Sequence, residues 1–177
     1  MIDFIIINVR PDTEDFSELI AGFDQTNANI LYNPSRSEVR HLLRESRNDL
    51  VLFGHGDDRG LYNTMMNGYI VGSGDVDMLR QRNVIGLWCF AGNFGDRYGL
   101  HGFFTSMFIS NVDEAHWYDY DPTEQQVTDE NYIFARRINT FLHNGIPYSQ
   151  WVDILQSECH SDIPFVRFNY EAMAYYE

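Results

Sequence analysis

Two residues carry the strongest signal for chemistry in this sequence, His55 and Cys89. Each stands where an apolar run stops. The stretch "NDLVLFGHGDDRGLY" passes through residues 50–53 into Gly54-His55-Gly56, and "NVIGLWCFAG" runs out on Cys89, with the small Ala91 and Gly92 just beyond. A thiolate attacks carbonyl carbon well, and a neighbouring imidazole can take up the thiol proton and later protonate a leaving amine. The two side chains therefore suit cysteine-dependent acyl transfer, if the fold brings them together. The backbone N–H groups of Gly56 and Cys89 are the candidate oxyanion donors, since glycine lets a substrate approach the main chain without a side-chain clash. Gly54, Asp57, Trp88 and Ala91 flank the pair as candidate cleft residues, and the bulky Trp88 could line the cleft or obstruct it. The bland alternatives are a tight turn around His55 and an inert buried thiol at Cys89.

The elements that must position them follow from periodicity. Residues 2–9 ("IDFIIINV") are β-branched and almost wholly apolar, the mark of a central strand covered on both faces of a parallel sheet. A short helix over 13–21 and an extended piece over 29–32 come next. Ser35 and Glu38 have capping-box spacing ahead of a helix over 36–46 with Val39, Leu42 and Leu43 on one face. The strand over 50–53, a glycine-punctuated hairpin over 59–72, a short helix up to Arg82 and the strand ending on Cys89 complete the first half. Beyond it the pattern predicts a helix over 100–104, a strand over 107–110 and an acidic connection over 113–124. A long helix capped by Thr128 over 129–143, a last helix from Pro147, and an edge strand "PFVRFNY" over 164–170 follow. Strands alternating with helices predict a single α/β domain over residues 1–177, a three-layer α/β/α sandwich on a mostly parallel sheet. In such sheets ligands gather at the carboxyl ends of the strands, the edge at which His55 and Cys89 would emerge side by side.

The quoted stretches resemble the caspase-like cysteine peptidases: caspases, gingipains, clostripain, separase and the bacterial CHAT domains. "DLVLFGHGDDRGLY" followed by "YIVGSGDVDMLRQRNVIGLWCFAG" is most similar to the CHAT form, in which a histidine strand, a hairpin, a short helix and a cysteine strand come in that order. The resemblance runs on through "GLHGFFTSMFISNVDEA" to "FLHNGIPYSQWVDIL", about residues 37–155. It implies a caspase-like sandwich and a cysteine endopeptidase with His55 as general base and acid, Gly56 as the glycine after it and Cys89 as nucleophile. It also implies a protein or peptide substrate, a regulatory protein partner, and no cofactor or metal. The chain departs from the family at Leu87-Trp88, where caspases have Gln-Ala and CHAT domains often Ser-Ala. It also lacks the tetratricopeptide repeats that often accompany CHAT.

Composition sets bounds. The chain has 177 residues, 44% of them hydrophobic, and a formal charge of -14, which suits one folded core and disfavours direct binding of nucleic-acid phosphates. No apolar run approaches the length of roughly 18 residues needed for a membrane span, and the start at Met1 reads as a cytoplasmic chain without a signal peptide. Cys89 and Cys159 do not form a disulfide framework, which suits a reducing compartment. The acidic balance makes a basic residue before the cut a plausible preference. It also leaves open a rival, an idle caspase-like fold or an acidic DNA mimic acting as an inhibitor. A thiol hydrolase or transferase that does not cleave peptides is a further alternative. All twelve basic residues are Arg. Drift toward Arg, avoidance of a lysine-directed modification and self-sparing by a lysine-directed protease all remain open.

The other candidates are structural. Cys159 and His160 adjoin each other near a helix end, where neighbours do not share a face. His41, His101, His116 and His143 lack ligand spacing, so no zinc site is expected. Asp119, Asp121, Thr123 and Glu130 stand at EF-hand-like offsets, but Glu124 replaces the required glycine. Gly72 and Gly74 start a dinucleotide fingerprint that does not finish.

Overall fold

The computed structural model describes residues 1–8, 11–159 and 162–177, with the side chains of 11–15 and 158 left aside. The core of the fold is a six-stranded sheet. Its strands are β1 (Ile2–Ile6), β2 (Ala28–Tyr32), β3 (Asp49–Phe53), β7 (Asn83–Leu87), β8 (His101–Phe104) and β9 (Ala174–Tyr176), in the order β2-β1-β3-β7-β8-β9. All neighbours pair in parallel except β9, which runs antiparallel to β8. A second, antiparallel sheet consists of β4 (Gly56–Asp57), β5 (Gly60–Tyr62) and β6 (Tyr69–Gly72). Its β5 and β6 form a hairpin within the expected 59–72, and β4, just after His55, adds a third strand that the pattern did not indicate.

Alternation of side chains along the strands divides the core in two. Phe4, Val51, Phe53, Ile85, Leu87 and Phe103 face one layer, made of α5 (Glu124–Asn144), α6 (Tyr148–Glu158), α7 (Pro164–Glu171) and the 3-10 segment Pro11–Ile20. Ile5, Leu50, Leu52, Val84, Trp88 and Phe104 face the other, made of α1 (Arg36–Glu45), α2 (Val76–Leu79), α3 (Ala91–Tyr98) and the hairpin sheet. The result is the expected three-layer α/β/α sandwich. Among the described residues no helix is long and apolar enough to cross a membrane.

Local signals placed several elements well. Ser35 and Glu38 close the expected capping box, with Glu38 Oε2 accepting the Ser35 N–H at 2.7 Å. Elsewhere packing overrode local pattern. The helix expected over 100–104 is strand β8, because Gly99 in the left-handed conformation ends α3 just before it. Phe103 and Phe104 then point to opposite faces of the sheet. The strand expected over 164–170 is helix α7, opened by Pro164 at its first turn, and the edge strand comes later as β9. The long helix starts five residues earlier than expected, at Glu124, because Thr123 with Gln126 supplies the capping box in place of Thr128. Within the acidic connection lies α4 (Val112–Trp117), capped by Asn111. Strand β1 ends at Ile6, and Val9 lies outside the described residues.

The stretch expected as a strand over 107–110 is an irregular but buried segment, and it bears directly on Cys89. Without a strand partner its backbone groups need others. The buried Asn169 of α7 provides both for Ile109, accepting its N–H at 2.7 Å and donating to its carbonyl at 3.0 Å. Asn131 of α5 donates to the Ser110 carbonyl at 2.8 Å. Glu114 of α4 accepts the Ser110 N–H at 2.8 Å and its hydroxyl at 3.1 Å. Replacing Asn169 by Ala leaves both groups of Ile109 buried and unpaired, so Asn169→Ala is expected to cost roughly 3 kcal/mol. Urea unfolding measures this; a loss below about 1 kcal/mol would mean that the segment re-pairs by itself.

Candidate active site

Strands β3 and β7 pair in parallel with Phe53 opposite Leu87, and the ladder reaches one residue further through the Gly54 N–H, which donates to the Leu87 carbonyl at 3.3 Å. His55 and Cys89 therefore stand at equal heights, each two residues past its strand, on strands about 4.8 Å apart. Both line one cavity at the carboxyl edge of the sheet, with Phe16, Phe53, Leu87, Phe108 and Phe134 as its apolar walls. The two residues whose types suggested chemistry thus line one cavity; β3 ends at Phe53 as expected, whereas β7 ends at Leu87, two residues before Cys89.

The glycines beside His55 are explained by packing. Gly54 has φ +151, and a Cβ there would come within 2.9 Å of both Ile7 Cβ and Ile7 O. A Cβ on Gly56 would lie 2.3 Å from Trp88 Cδ1 and 2.5 Å from the Gly60 carbonyl. The Trp88 indole fills the space under the hairpin. Its Nε1 donates to the Asp57 carbonyl at 3.0 Å, it packs edge-on against Phe94, and it is 2% exposed. Since side chains alternate, Trp88 belongs to the core on one side of the sheet, while Cys89 packs with the core on the other. The indole anchors the hairpin from the face of the sheet opposite the thiol.

Asp57 and Ala91 fall outside the cavity lining. Asp57 accepts from Tyr62 and Tyr69 hydroxyls, each at 2.9 Å, and from the Arg59 N–H at 2.8 Å. Burial alone would raise its pKa, but these bonds outweigh burial and hold the carboxyl below its ordinary range. It organises the hairpin. Ala91 is fully buried at the start of α3, where its small side chain lets the helix lie against the sheet.

The electrostatics describe a resting thiol. Burial pushes Cys89 up to about 12, the nearby charge of Glu114 adds to that, and weaker bonds to the Phe108 region and to its own N–H pull the other way. The sulfur's hydrogen-bond partner is the Phe108 carbonyl, at 3.5 Å. On the other wall His55 is fixed by its main chain, whose carbonyl accepts the Tyr62 N–H at 2.8 Å, while its Nε2 is buried with no partner among the described residues. An imidazole nitrogen held without a partner has capacity to accept or donate a proton. Phe90, directly after the cysteine, adopts a left-handed conformation that turns the chain sharply from β7 into α3. The room left for a water-sized centre is only about 30 Å3, enough for one or two waters and far too little for a peptide.

Phe16, Thr105, Phe108, Ser110 and Phe134 belong to the cavity lining without any local signal in the sequence that points to the site. Thr105 hydroxyl bonds the Trp88 carbonyl at 2.9 Å and so fixes the turn that carries Cys89. Cys159 is a free thiol at the end of α6, remote in sequence from this site, and its neighbour His160 lies outside the described residues. Among the described residues no three His, Cys, Asp or Glu side chains gather as metal ligands. No family model matches the chain, and no curated protein matches it.

A thiol held at about 12 reacts only through its small thiolate fraction, which grows with pH until the thiol titrates. Alkylation of Cys89 by iodoacetamide in the intact chain is therefore expected to accelerate about tenfold per pH unit from pH 6 to 9. A rate already flat across that range, followed by peptide mapping, would instead reveal a preformed thiolate–imidazolium pair.

Proposed function

We propose that this chain is a thiol-dependent hydrolase of caspase-like form, a cysteine endopeptidase, held at rest in a closed and protonated state. The observation that carries this reading is the convergence of Cys89 and His55, whose Nε2 has no partner among the described residues, on one cavity at the carboxyl edge of a parallel sheet. In the reaction, His55 takes the Cys89 proton as the sulfur bonds to the substrate carbonyl carbon. The oxygen's developing charge is met by backbone N–H groups, of which Cys89's own is the candidate at the cavity, since Gly56 lies outside its lining, against the Trp88 indole. His55 then returns the proton to the leaving amine, and water releases the acyl group by the reverse sequence. The chemistry calls for no metal or organic cofactor. Two free thiols fit a reducing, cytoplasmic setting, and a protein partner is the natural agent to open the closed cavity.

A second reading has one specific observation in its favour. The sulfur bonds a carbonyl and faces the Glu114 charge, which is what an idle caspase-like fold retained as a binding module would show. Its strong negative charge would then supply the interaction, with the acidic stretch over 113–124 meeting a basic partner.

Cleavage of a denatured protein mixture or peptide library by the intact chain is the test, read by mass spectrometry of new termini. Cys89→Ala and His55→Ala are each expected to lower cleavage at least about 10³-fold. If Cys89→Ala keeps its full biological effect while charge reversal over 113–124 abolishes it, the binding module is the correct reading.

A further inference from the structure

One wall of the cavity beside Cys89 is a ring from an element unlike the others around it. Strand β1 runs out beside His55, with the Ile7 N–H donating to the Phe53 carbonyl at 2.8 Å, so the crossover to β2 leaves the sheet at the same edge as the candidate dyad. The first described stretch of that crossover is a 3-10 helix of ten residues, Pro11–Ile20. Such helices rarely exceed three or four residues, because their hydrogen bonds are poorly aligned. This one is held by its docking on α5. Asn139 Nδ2 donates to the carbonyls of Leu19 and Ala21 at 3.0 and 2.9 Å, and Arg136 pairs with Glu18 at 3.4 Å. Among the described side chains, these anchors lie at the end of the strap nearest β2.

Phe16, ahead of those anchors, turns into the cavity wall and is 6% exposed. Its ring centroid lies 4.8 Å from that of Phe53, 6.1 Å from Phe108 and 6.5 Å from Phe134. Phe53 is two residues before His55, and the Phe108 carbonyl holds the Cys89 sulfur. These neighbours are fixed in the sheet, in α5 and in the segment clamped by Asn169. Among the described lining residues Phe16 alone is carried by the strap, so a displaced strap would take that ring with it. What it would vacate is a slot with aromatic walls directly beside the thiol. A guanidinium or ammonium entering it would meet no carboxylate among the described lining residues, and Glu114 is engaged by Ser110.

We propose that Phe16 occupies the subsite for an aromatic or large aliphatic side chain of the substrate, and that the strap keeps the site closed until that ring is displaced. This rests on the hydrolase reading of His55 and Cys89. It replaces the basic preference that net charge alone suggested.

The test uses iodoacetamide, which needs only access to the thiol and no catalytic machinery. Alkylation of Cys89 is compared in the intact chain, in Phe16→Ala and in Asn139→Ala, which loosens the strap without emptying the core. Cys159 serves as internal reference, and thermal melts confirm folding. Both variants are expected to speed Cys89 alkylation roughly tenfold, with Cys159 unchanged. In Phe16→Ala, N-acetyl-phenylalanine amide is expected to slow Cys89 alkylation again, and N-acetyl-arginine amide to leave it as it is. Unchanged Cys89 rates in both folded variants, or protection by the arginine compound or by neither, overturns the proposal. Accelerated and phenylalanine-protected alkylation without peptide cleavage by any variant supports strap and subsite while removing the hydrolase reading.

Discussion

The parallel register between β3 and β7 is the constraint on which this molecule's candidate chemistry depends. With Phe53 opposite Leu87, alternation of side chains sends residues 51, 53 and 55 to the same face as 85, 87 and 89. A slip of one residue would put Trp88 where Cys89 stands and move the thiol to the hairpin side of the sheet. Register is in turn enforced by burial, because Leu50, Val51, Leu52, Val84 and Ile85 are all fully buried and none can be moved to the other face without changing neighbours. Above the strand ends two features carry the geometry onward. Gly54 allows β3 to pass within contact of Ile7, and the Trp88 indole on Gly56 locks the hairpin beneath it.

The same burial that fixes the register sets the resting state of the thiol. An apolar cavity of this size solvates a thiolate poorly, and Glu114 opposes the charge, so Cys89 is held protonated near neutral pH. Desolvation is the largest of these effects, and it is also the one that opening the cavity relieves. If the strap moves, water and substrate enter together and the thiol's acidity moves toward its ordinary value. Under the proposed reading, admission of substrate and activation of the nucleophile are then one structural event.

What could be read from the residues was what local chemistry determines. The capping box at Ser35, the hairpin over 59–72 and the two-fold alternation that pairs His55 with Cys89 are written within a few residues of where they act. The rest depended on partners distant in sequence. Residues 107–110 look like a strand, yet their backbone is satisfied by Asn169 sixty residues later, so no ladder forms there. The short run Leu100–Phe104 is apolar under either period, and only its parallel pairing with β7 makes it a strand. Phe16 is one aromatic among thirteen Phe, and its place at the thiol comes from a crossover that happens to leave the sheet beside Gly54. The glycines at 54 and 56 pointed to the right place for a reason other than substrate approach.

The absence of lysine acquires a partial physical account from the arginines themselves. At several positions one guanidinium bridges acceptors that lie in different directions. Arg82, with no side-chain exposure, donates to the carbonyls of Leu43 and Ser46 at 2.8 and 2.6 Å and faces Asp3 at 3.6 Å. Arg36 reaches both the Ile70 carbonyl and the buried Asp75, and Arg97 takes both the carbonyl and carboxylate of Asp58. An ammonium is a compact charge with strong hydration, whereas the planar fork spans two acceptors and is less costly to desolvate. The Arg82 site shows how far this is carried, since burial pulls its guanidinium's pKa down and Asp3 Oδ2 and Arg82 Nε still lack hydrogen-bond partners among the described residues. Asn29 and Asn48 meet the other oxygen of Asp3, at 2.8 and 3.0 Å. The amino edge of the sheet is thereby tied to the end of α1 by charge, while the carboxyl edge is lined by apolar walls. A lysine at position 82 could keep the attraction to Asp3 but would lose the fork that holds two carbonyls, so the fold itself favours arginine there whatever drove lysine from the remaining positions.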